Sequence, residues 1–543
     1  MADRRYALRG RVVTMDVART IVPDGVVWID GDTIHSVSTP GEGRPSGFED
    51  IEAIETHGTI FPGLIELHNH LAYNALPLWK VPRAFSNRDQ WGARDDYKKL
   101  VSRPMRVLGS DPEYVAAIAR FAEAKCLVGG VTASQGITLQ NFSTTRFFKG
   151  LTRNVEQSLD NRLPNAQTKI GDPANVEEVR RLAEQLQRIS CTLRHLSEGI
   201  DDHARKRFLD LQFEPDKWAL APAFCGIHAN GLRDEDLAVM QRHGAAIVWS
   251  PLSNLLLYGK TLNVGLAAEL GIRIALGSDW SPSGSRNLLG EMKIARAHAA
   301  VARARLRSAD IVAMATCNAA QMLGWSGLLG SIESGKYADL VVVTGADAEP
   351  YDQLIDASEK LLRAVIIAGR VRLADPKLGL IAAADAETMT IDGIDKHLDV
   401  RDADADPLVE GLSLAAAVAR LKDGLARLPE IEADLLNRAI VGDFNFRTSA
   451  ARVWFLALEE DAEFLRRSWS AADRSLADMH GPPILRDVGI PGAAGLAAAS
   501  PSPLSPIELD PLTIAGDANY KPALLAQQNL PQSIKDAIAA AFP

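Results

Sequence analysis

The sequence has few cysteines and no clustered positive charge, and both absences limit what the protein can be. Its four cysteines, Cys126, Cys191, Cys225 and Cys317, lie far apart and form no Cys-x-x-Cys pair. This spacing argues against a disulfide framework, a structural zinc knuckle and the Pro-Cys-x-x-Cys zinc site of cytidine deaminases. The net charge is −10 and no lysine- and arginine-rich block occurs. We therefore expect neither nucleic acid nor an anionic membrane as a partner.

Long apolar runs are also missing. No stretch of about 18 consecutive apolar residues occurs, and the first residues, Met1 to Tyr6, contain no apolar signal core. We expect a cytoplasmic location, where thiols stay reduced. What is present is the composition of an ordinary globular protein, with 47% hydrophobic and 24% charged residues. A chain of 543 residues exceeds the size at which one core usually stops growing, so more than one domain is expected.

Strand-like and helix-like segments alternate between about residues 60 and 330. This alternation predicts an α/β fold with a (β/α)8 TIM barrel, whose active site lies at the C-terminal ends of the strands. Segment Tyr73–Ser110 is rich in Trp, Arg and Pro, and we predict a long loop at that face that serves as a substrate lid. The helix candidates are Asp111–Val128, Val176–Ser190, Asp234–Arg242 and Ala309–Leu323.

Two β-rich regions flank the predicted barrel. Hairpins are expected around Asp30-Gly31 and around Ala368-Gly369. We predict that residues 1–58 and 335–385 pair into one small discontinuous β-sandwich domain, with the barrel at residues 59–334. Residues 386–543 are predicted to form a mostly helical extension with a C-terminal arm. Its expected helices are one with apolar residues at helical spacing from Leu414 to Leu428 and one from about Ala450 to Trp469.

Two histidines, His68 and His70, end a strand-like segment that begins at Thr59. Side chains at i and i+2 of a strand point to the same side. Both imidazoles can therefore converge on one point, as a metal ion requires. Two hydrogen-bonded histidines at the end of a strand explain the pair equally well, so the remainder of the sequence must decide between these interpretations.

Three further strand-like segments lead into polar residues. They carry His195 with Glu198, then His228, then Asp279. The ends of parallel barrel strands meet on one face. Three imidazoles and one carboxylate, with an open position for water, are a common ligand set of a catalytic zinc. A histidine after a strand is often only hydrogen-bonded in a core, but four such segments in order favour the metal site. The other histidines are interpreted as surface or packing residues: His35, His57, His203, His243, His298, His397 and His480.

Together these segments resemble the amidohydrolase superfamily. The resemblance is closest to the branch that holds adenosine, guanine and cytosine deaminases and the triazine hydrolases, and it covers roughly residues 5–375. The matching segments are Pro62–His70, His195–Gly199, Ser250–Asn254 with Gly259, Leu276–Asp279 and Gly330–Val343.

This resemblance implies roles for individual residues. His68, His70, His195 and Asp279 would be the metal ligands, and Asp279 would also accept the proton of the attacking water. Glu198 would shuttle protons to the substrate nitrogen, and His228 would orient the water and help to stabilise the developing charge. One divalent metal is implied, with Zn²⁺ expected and Fe²⁺ as the alternative.

The implied activity is hydrolysis of carbon–nitrogen bonds other than peptide bonds, by deamination of a heterocycle or cleavage of an amide or urea-like bond. The substrate would be a small molecule and the protein a homo-oligomer. Two alternatives remain open: a two-metal amidase or dipeptidase-type site bridged by carbamylated Lys169, and a non-catalytic relative that serves in assembly.

Candidate substrate contacts lie near the predicted strand ends, although ordinary loop packing explains each of them equally well. Several aromatic residues at the mouth of the barrel would suit a flat or heterocyclic substrate. The candidates are Tyr73, Asn74, Trp79, Gln135, Asn254 and Trp280.

Overall fold

The computed structural model describes residues 5–141, 144–169, 171–441, 454–458 and 502–542, and these residues have an α/β fold. Most of the helix predicted at residues 450–469 lies outside the described residues, as does His480. The strands are β1 (Arg5–Val13), β2 (Ile21–Asp30), β3 (Thr33–Ser38), β4 (Ala53–Pro62), β5 (Leu64–Glu66), β6 (Val131–Ser134), β7 (Thr138–Gln140), β8 (Thr145–Phe147), β9 (Arg153–Asn154), β10 (Gln167–Lys169), β11 (Thr192–Leu196), β12 (Gln212–Glu214), β13 (Lys217–Trp218), β14 (Phe224–His228), β15 (Ala246–Trp249), β16 (Ile274–Leu276), β17 (Leu340–Thr344), β18 (Leu362–Ile367), β19 (Arg370–Ala374), β20 (Glu387–Ile391), β21 (Ile394–Leu398) and β22 (Phe455–Leu456).

The helices cover the strands and extend beyond them. No helix among the described residues is both long enough and apolar enough to cross a membrane. The α-helices are α1 (Asp95–Tyr97), α2 (Arg103–Gly109), α3 (Pro112–Val128), α4 (Val176–Gln185), α5 (Asp202–Leu209), α6 (Asp234–Arg242), α7 (Pro251–Tyr258), α8 (Val264–Glu269), α9 (Leu288–Val301), α10 (Ser308–Met314), α11 (Cys317–Leu323), α12 (Pro350–Asp356), α13 (Leu414–Ala426), α14 (Leu428–Val441), α15 (Tyr520–Leu525) and α16 (Gln532–Ala541).

Eight parallel strands of the described chain carry the site. They form two sheets, in the orders β5-β6-β9 and β10-β11-β14-β15-β16. Backbone hydrogen bonds link the sheets at both ends: Ala166 N–H donates to Val155 O at 2.8 Å, and Leu67 N–H donates to Leu276 O at 3.4 Å. Strands such as β14 and β15 are buried along their whole length, which is typical of parallel strands that are covered on both faces. The carboxyl ends of these strands therefore lie on one side.

The remaining large sheet has nine strands, in the order β20-β21-β19-β18-β17-β4-β1-β2-β3. Strand β17 pairs antiparallel with β4, so the early and late β-rich regions share one hydrogen-bonded sheet. The sequence predicts a β-sandwich here; the nine strands share one hydrogen-bonded order, and their division into two layers stays a prediction. It also places the start of a helical extension at residue 386, but residues 387–398 form the hairpin β20–β21, which pairs with β19. The apolar spacing in the C-terminal neighbour, α13, is helical and predicts a helical extension. The alternation of side chains along the hairpin is a weaker signal in the sequence.

Segment Tyr73–Ser110 differs from the predicted loop. Its second half is helical from α1 through a π-type turn at Lys98–Ser102 into α2. Val101, Met105 and Leu108 are buried there, and their spacing of four and three residues is that of one helix face. The spacing of apolar residues thus predicts the structure of this half better than its content of Trp, Arg and Pro, which favours a loop. The prediction was also wrong at helix ends, since α4 ends at Gln185 and the single helix predicted over Ala309–Leu323 is two helices, α10 and α11.

Candidate active site

Five residues from four strand ends meet on one side of the parallel strands, and we call them the strand-end cluster: His68, His70, His195, His228 and Asp279. His68 follows β5, His195 lies in β11, His228 ends β14, and Asp279 follows β16. Backbone hydrogen bonds join the first and last of these ends, because Asp279 N–H donates to His68 O at 3.0 Å and His70 N–H donates to Asp279 O at 2.6 Å. The tertiary structure thus brings together residues from both ends of the 59–334 region.

The side chains of the cluster are close and buried. Ligand atoms of His68, His70 and His195 all lie within 4.8 Å of one another, as do those of His68, His228 and Asp279. Asp279 Oδ1 lies 3.1 Å from His68 Nε2 and 3.2 Å from His70 Nε2. The side chain of His68 is fully buried and that of His70 is 9% exposed.

The backbone is strained at two of these positions. His228 and Asp279 have φ values of 67° and 66°, in the left-handed region that non-glycine residues adopt at a cost of about 1–3 kcal/mol. Gly277 permits the tight packing beside them, because a Cβ atom there would lie 2.4 Å from His68 Cβ. Such strain is concentrated at functional sites, where the surrounding structure holds it in place.

Hydrogen bonding of His68 leaves a lone pair facing a carboxylate. Its Nδ1 lies 3.3 Å from Gln135 Oε1, which also accepts from Asn69 N–H at 2.9 Å and is therefore an acceptor. With the proton on Nδ1, His68 Nε2 has a lone pair but no hydrogen-bond partner in the described part of the chain. That lone pair faces Asp279 Oδ1. Two acceptors at this distance fit a cation between them, so the donor set fits a divalent metal.

Burial and neighbouring groups set the charges of the cluster. Burial lowers the pKa of the His195 imidazole well below its usual range, and the rings of His68, His228 and His70 lower it further. Burial also lowers the pKa of His228, although Glu198 and Asp279 oppose the shift. For Asp279, burial alone would raise the pKa, but the facing His68 and His70 outweigh it and hold the pKa well below its usual range. Neutral imidazoles beside an ionised carboxylate are the protonation states that a metal site needs.

Glu198 is held by an unpredicted tyrosine. Tyr258 Oη donates to Glu198 Oε1 at 2.7 Å and accepts from Trp91 Nε1–H at 2.9 Å. The other carboxylate oxygen, Oε2, lies 3.9 Å from His228 Nε2. Tyr258 is one helical turn beyond Asn254 on α7, and Asn254 Oδ1 binds His228 Nδ1 at 2.9 Å. This i, i+4 spacing was the sequence signal that could have identified Tyr258.

Aromatic side chains extend from the cluster in a continuous series. The centroid of the Trp280 ring lies 5.4 Å from that of His70 and 5.1 Å from that of Tyr73. The centroid of the Tyr97 ring lies 6.2 Å from that of Trp280 and 5.7 Å from that of Trp79. Tyr73, Trp79 and Trp280 are thus brought together, and Tyr97 was missed because helix α1 lies in the segment predicted to be a loop.

The three candidate amides form hydrogen bonds within the protein. The sequence predicts that they contact a substrate. Gln135 binds His68 and also donates to Thr168 Oγ1 at 3.1 Å. Asn254 binds His228 and donates to Thr261 Oγ1 at 3.0 Å. The amide of Asn74 bonds to Asn69 Oδ1 and to Ser281 N–H, both at 2.9 Å. The oxygen and nitrogen of each amide thus bind neighbouring protein groups and hold the site's own loops and rings, and contact of these amides with a substrate stays a prediction.

Lys169 is unsuited to bridge metals in this cluster. It is the last residue of β10 and is exposed. It pairs in register with Arg194 of β11, and successive side chains of a strand point to opposite faces. Lys169 therefore projects to the face opposite that of His195, which contradicts the alternative of a carbamylated bridging lysine at this position.

Comparison with known proteins gives consistent results. The model of the amidohydrolase family matches residues 194–372. The 5-methylthioadenosine/S-adenosylhomocysteine deaminase of Teredinibacter turnerae is 26% identical over 369 residues, which are 60% of this chain and 82% of the relative.

Solved structures show the same fold at low identity. Guanine deaminase of E. coli superposes with a TM-score of 0.53 at 17% identity, over 68% of this chain and 99% of that chain. A mutant of atrazine chlorohydrolase from Arthrobacter aurescens TC1, complexed with zinc and atraton, gives a TM-score of 0.54 at 17% identity over 77% and 99% of the two chains. These likenesses indicate a TIM-barrel-like α/β domain. Residues 194–372 thus carry an amidohydrolase-family domain, which supports hydrolase chemistry for the protein.

Proposed function

We propose that the protein hydrolyses carbon–nitrogen bonds other than peptide bonds, at a single divalent metal ion, and that it deaminates a heterocyclic small molecule. The observation that carries this proposal is the meeting of His68, His70, His195 and Asp279 at four strand ends, with Glu198 and His228 beside them. The deaminase names of the relatives support deamination, and the aromatic series beside His70 suits a flat ring. Cleavage of an amide or urea-like bond is the alternative reaction.

The metal would be held by His68, His70, His195 and Asp279. The unpartnered Nε2 of His68 and the buried Nδ1 of His195, which has no hydrogen-bond partner in the described ranges, support this assignment. Zinc is expected, with ferrous iron as the alternative. A bound divalent ion supplies Lewis acidity and lowers the pKa of water from 15.7 to about 7.

Asp279 and His228 prepare the water for attack. Asp279 is ionised, so its carboxylate accepts the proton that water loses. Asn254 Oδ1 accepts from His228 Nδ1, which leaves Nε2 of the neutral ring as an acceptor facing Glu198 and Asp279 at 3.9 and 4.0 Å. His228 therefore orients the water by accepting its hydrogen, rather than by donating to a developing oxyanion.

Glu198 passes a proton that comes from the attacking water to the leaving nitrogen. The Tyr258 hydroxyl holds its Oε1, so Oε2 faces His228 and the place where the substrate carbon would be attacked. General acid catalysis of this kind contributes about 10²–10⁴ in rate. Once the nitrogen is protonated, ammonia or an amine leaves and the carbon–oxygen bond remains.

The proposal includes the architecture around the site. The hydrogen bonds at both seams of the parallel sheets support a closed (β/α)8 barrel over residues 59–334. The pairing of β4 with β17 supports a discontinuous β domain from residues 1–58 and 335 onward, with its end moved from 385 to about 398 by the hairpin β20–β21.

An ammonia-release screen tests the function. The protein, loaded with zinc or with ferrous iron, is assayed against purines, pyrimidines, triazines, their nucleosides including 5-methylthioadenosine, and N-acyl compounds. Metal content is measured in parallel. Ammonia release with about one ion per chain is expected. Absence of any bound divalent ion, together with full activity of His68→Ala, would overturn the proposal, and two ions per chain would overturn its single-metal form.

A further inference from the structure

The C-terminal arm, residues 502–542, lies outside residues 194–372, which the family model matches, and yet contacts segments that carry site residues. Its contacting residues Asp510 and Gln527 are buried. Asp510 N–H donates to Ala75 O at 3.0 Å, in the 3₁₀ turn Leu71–Ala75 that follows His70. Helix α16 packs on α9. The arm is therefore part of the described fold beside the strand-end cluster.

Gln527 forms the most specific of these contacts. Its Oε1 accepts from Val81 N–H at 3.1 Å, and its Nε2 donates to Trp79 O at 3.2 Å. Gln527 is 3% exposed and Trp79 is equally buried. Trp79 N–H also donates to Pro282 O at 2.7 Å, two residues from Trp280. One side chain of the arm thus binds two backbone groups on the C-terminal side of Trp79, while Pro282 binds its N–H.

A neighbouring residue of the arm reaches the helix that carries Tyr258. Asn529 Nδ2 donates to Leu256 O at 2.9 Å, two residues before Tyr258 near the C-terminal end of α7. Gln527 and Asn529 therefore bind the backbone at Trp79 and at Leu256, in the helix that carries Tyr258.

A buried ion cluster anchors the other end of the arm. Asp510 is paired with Lys125 Nζ at 2.5 Å and with Arg286 Nη2 at 2.9 Å, and all three side chains are at most 4% exposed. Lys125 Nζ also donates to Asn74 O at 2.7 Å and to Ser281 Oγ at 2.9 Å. Each of these acceptors lies in a loop directly after a residue of the strand-end cluster.

We propose that the C-terminal arm completes the wall of the substrate pocket, and that Gln527 is a positioning residue for substrate binding which acts through Trp79. This inference rests on the proposed function, since it assumes that the aromatic series receives the substrate. Because Gln527 touches neither the strand-end cluster nor Glu198 in any contact given by the described residues, its effect falls on binding rather than on the chemical step.

Hydrogen exchange of the whole protein gives a first test that needs no substrate. Gln527→Met keeps the length of the side chain and removes both hydrogen bonds. The matched control is Gln532→Met, at an exposed glutamine of the same arm whose amide, among the described residues, bonds to Asp536. We expect exchange of the backbone amides over residues 79–85 to be accelerated about tenfold in Gln527→Met alone, with unchanged exchange in β11 and β14 and unchanged metal content. Unchanged exchange over residues 79–85 would overturn the inference.

Kinetics provide the second test, with adenosine and 5-methylthioadenosine as the probes. Gln527→Met should raise KM about tenfold, as expected for loss of two hydrogen bonds that hold a binding segment, with kcat within about threefold of the wild type. Equal loss of kcat and kcat/KM, or a fall in thermal stability with KM unchanged, would show a purely structural role and overturn the inference. If the wild-type protein releases no ammonia from either probe, the deaminase proposal fails on these substrates, while the exchange result still decides whether Gln527 positions the segment.

Discussion

The strand-end cluster and the C-terminal arm reach the same face of the protein by different means. The five residues of the cluster lie at the ends of four strands, so a short local pattern decides the place of each. Contacts of the arm join residues that are far apart in sequence, by 385 positions for Asp510 with Lys125 and by 448 for Gln527 with Trp79. The comparison indicates that the chemical groups are encoded locally, whereas the pocket wall depends on long-range packing.

Removal of a proposed metal ligand is the change with the largest expected effect, and it tests the strand-end cluster. His68→Ala should abolish metal binding and reduce kcat/KM by about a thousandfold or more, because Lewis acidity worth several kcal/mol is lost. Activity and bound metal are measured together. His243→Ala, outside the cluster, is the control and should retain both. A His68→Ala variant with full metal content would contradict the ligand assignment.

Glu198→Gln separates proton transfer from metal binding within the same region. The amide cannot donate a carboxylic proton, so kcat should fall by about 10²–10⁴. The metal content should not change, since Glu198 is not a proposed ligand. Steady-state kinetics and metal analysis on one preparation check both statements, and a variant within threefold of the wild-type kcat would remove Glu198 from its proposed role.

Asp510→Asn tests whether the arm is anchored by charge. The variant leaves Lys125 and Arg286 buried without their shared carboxylate, and breaking a buried ion pair in this way costs about 3–5 kcal/mol. Denaturant unfolding should show this loss. Asp536→Asn, at an exposed position of the arm, should lie within about 0.5 kcal/mol of the wild type. Equal stability of the two variants would mean that the ion cluster does not hold the arm.

Tyr258→Phe has the smallest expected effect and lies where the two regions meet. The ring stays packed but the hydrogen bond to Glu198 is lost, so kcat should fall about tenfold, as expected for a charge-assisted bond. KM and metal content should change little. Tyr114→Phe, on α3 beside Gly424, is the matched control. A rise in KM with unchanged kcat would assign Tyr258 to substrate binding instead of to the positioning of Glu198.

Prediction from the sequence was successful for several secondary-structure elements and incomplete for side-chain contacts. The strands that carry His195 and His228 and the helix Asp234–Arg242 lie where periodicity predicts them. The sequence does not predict the hairpin β20–β21 or the helical part of the Tyr73–Ser110 segment. In both places the composition of the surrounding residues is a stronger signal than the spacing of apolar residues within the element. For Asn74, Gln135 and Asn254 the sequence indicated proximity to the site but not the partner, because an amide serves a ligand and a neighbouring loop equally well.

By itself, the sequence determined which groups can do chemistry and that they stand at the ends of strands. His68, His70, His195, His228, Glu198 and Asp279 are all recognisable from patterns a few residues long, because strand geometry directs side chains at fixed intervals. Only the tertiary structure decided that Tyr258 would hold Glu198, that Lys169 would face away, and that Gln527 would bind the backbone around Trp79. Those outcomes depend on the packing of segments far apart in the chain, and hydrogen-bond partners are chosen by that packing rather than by local spacing.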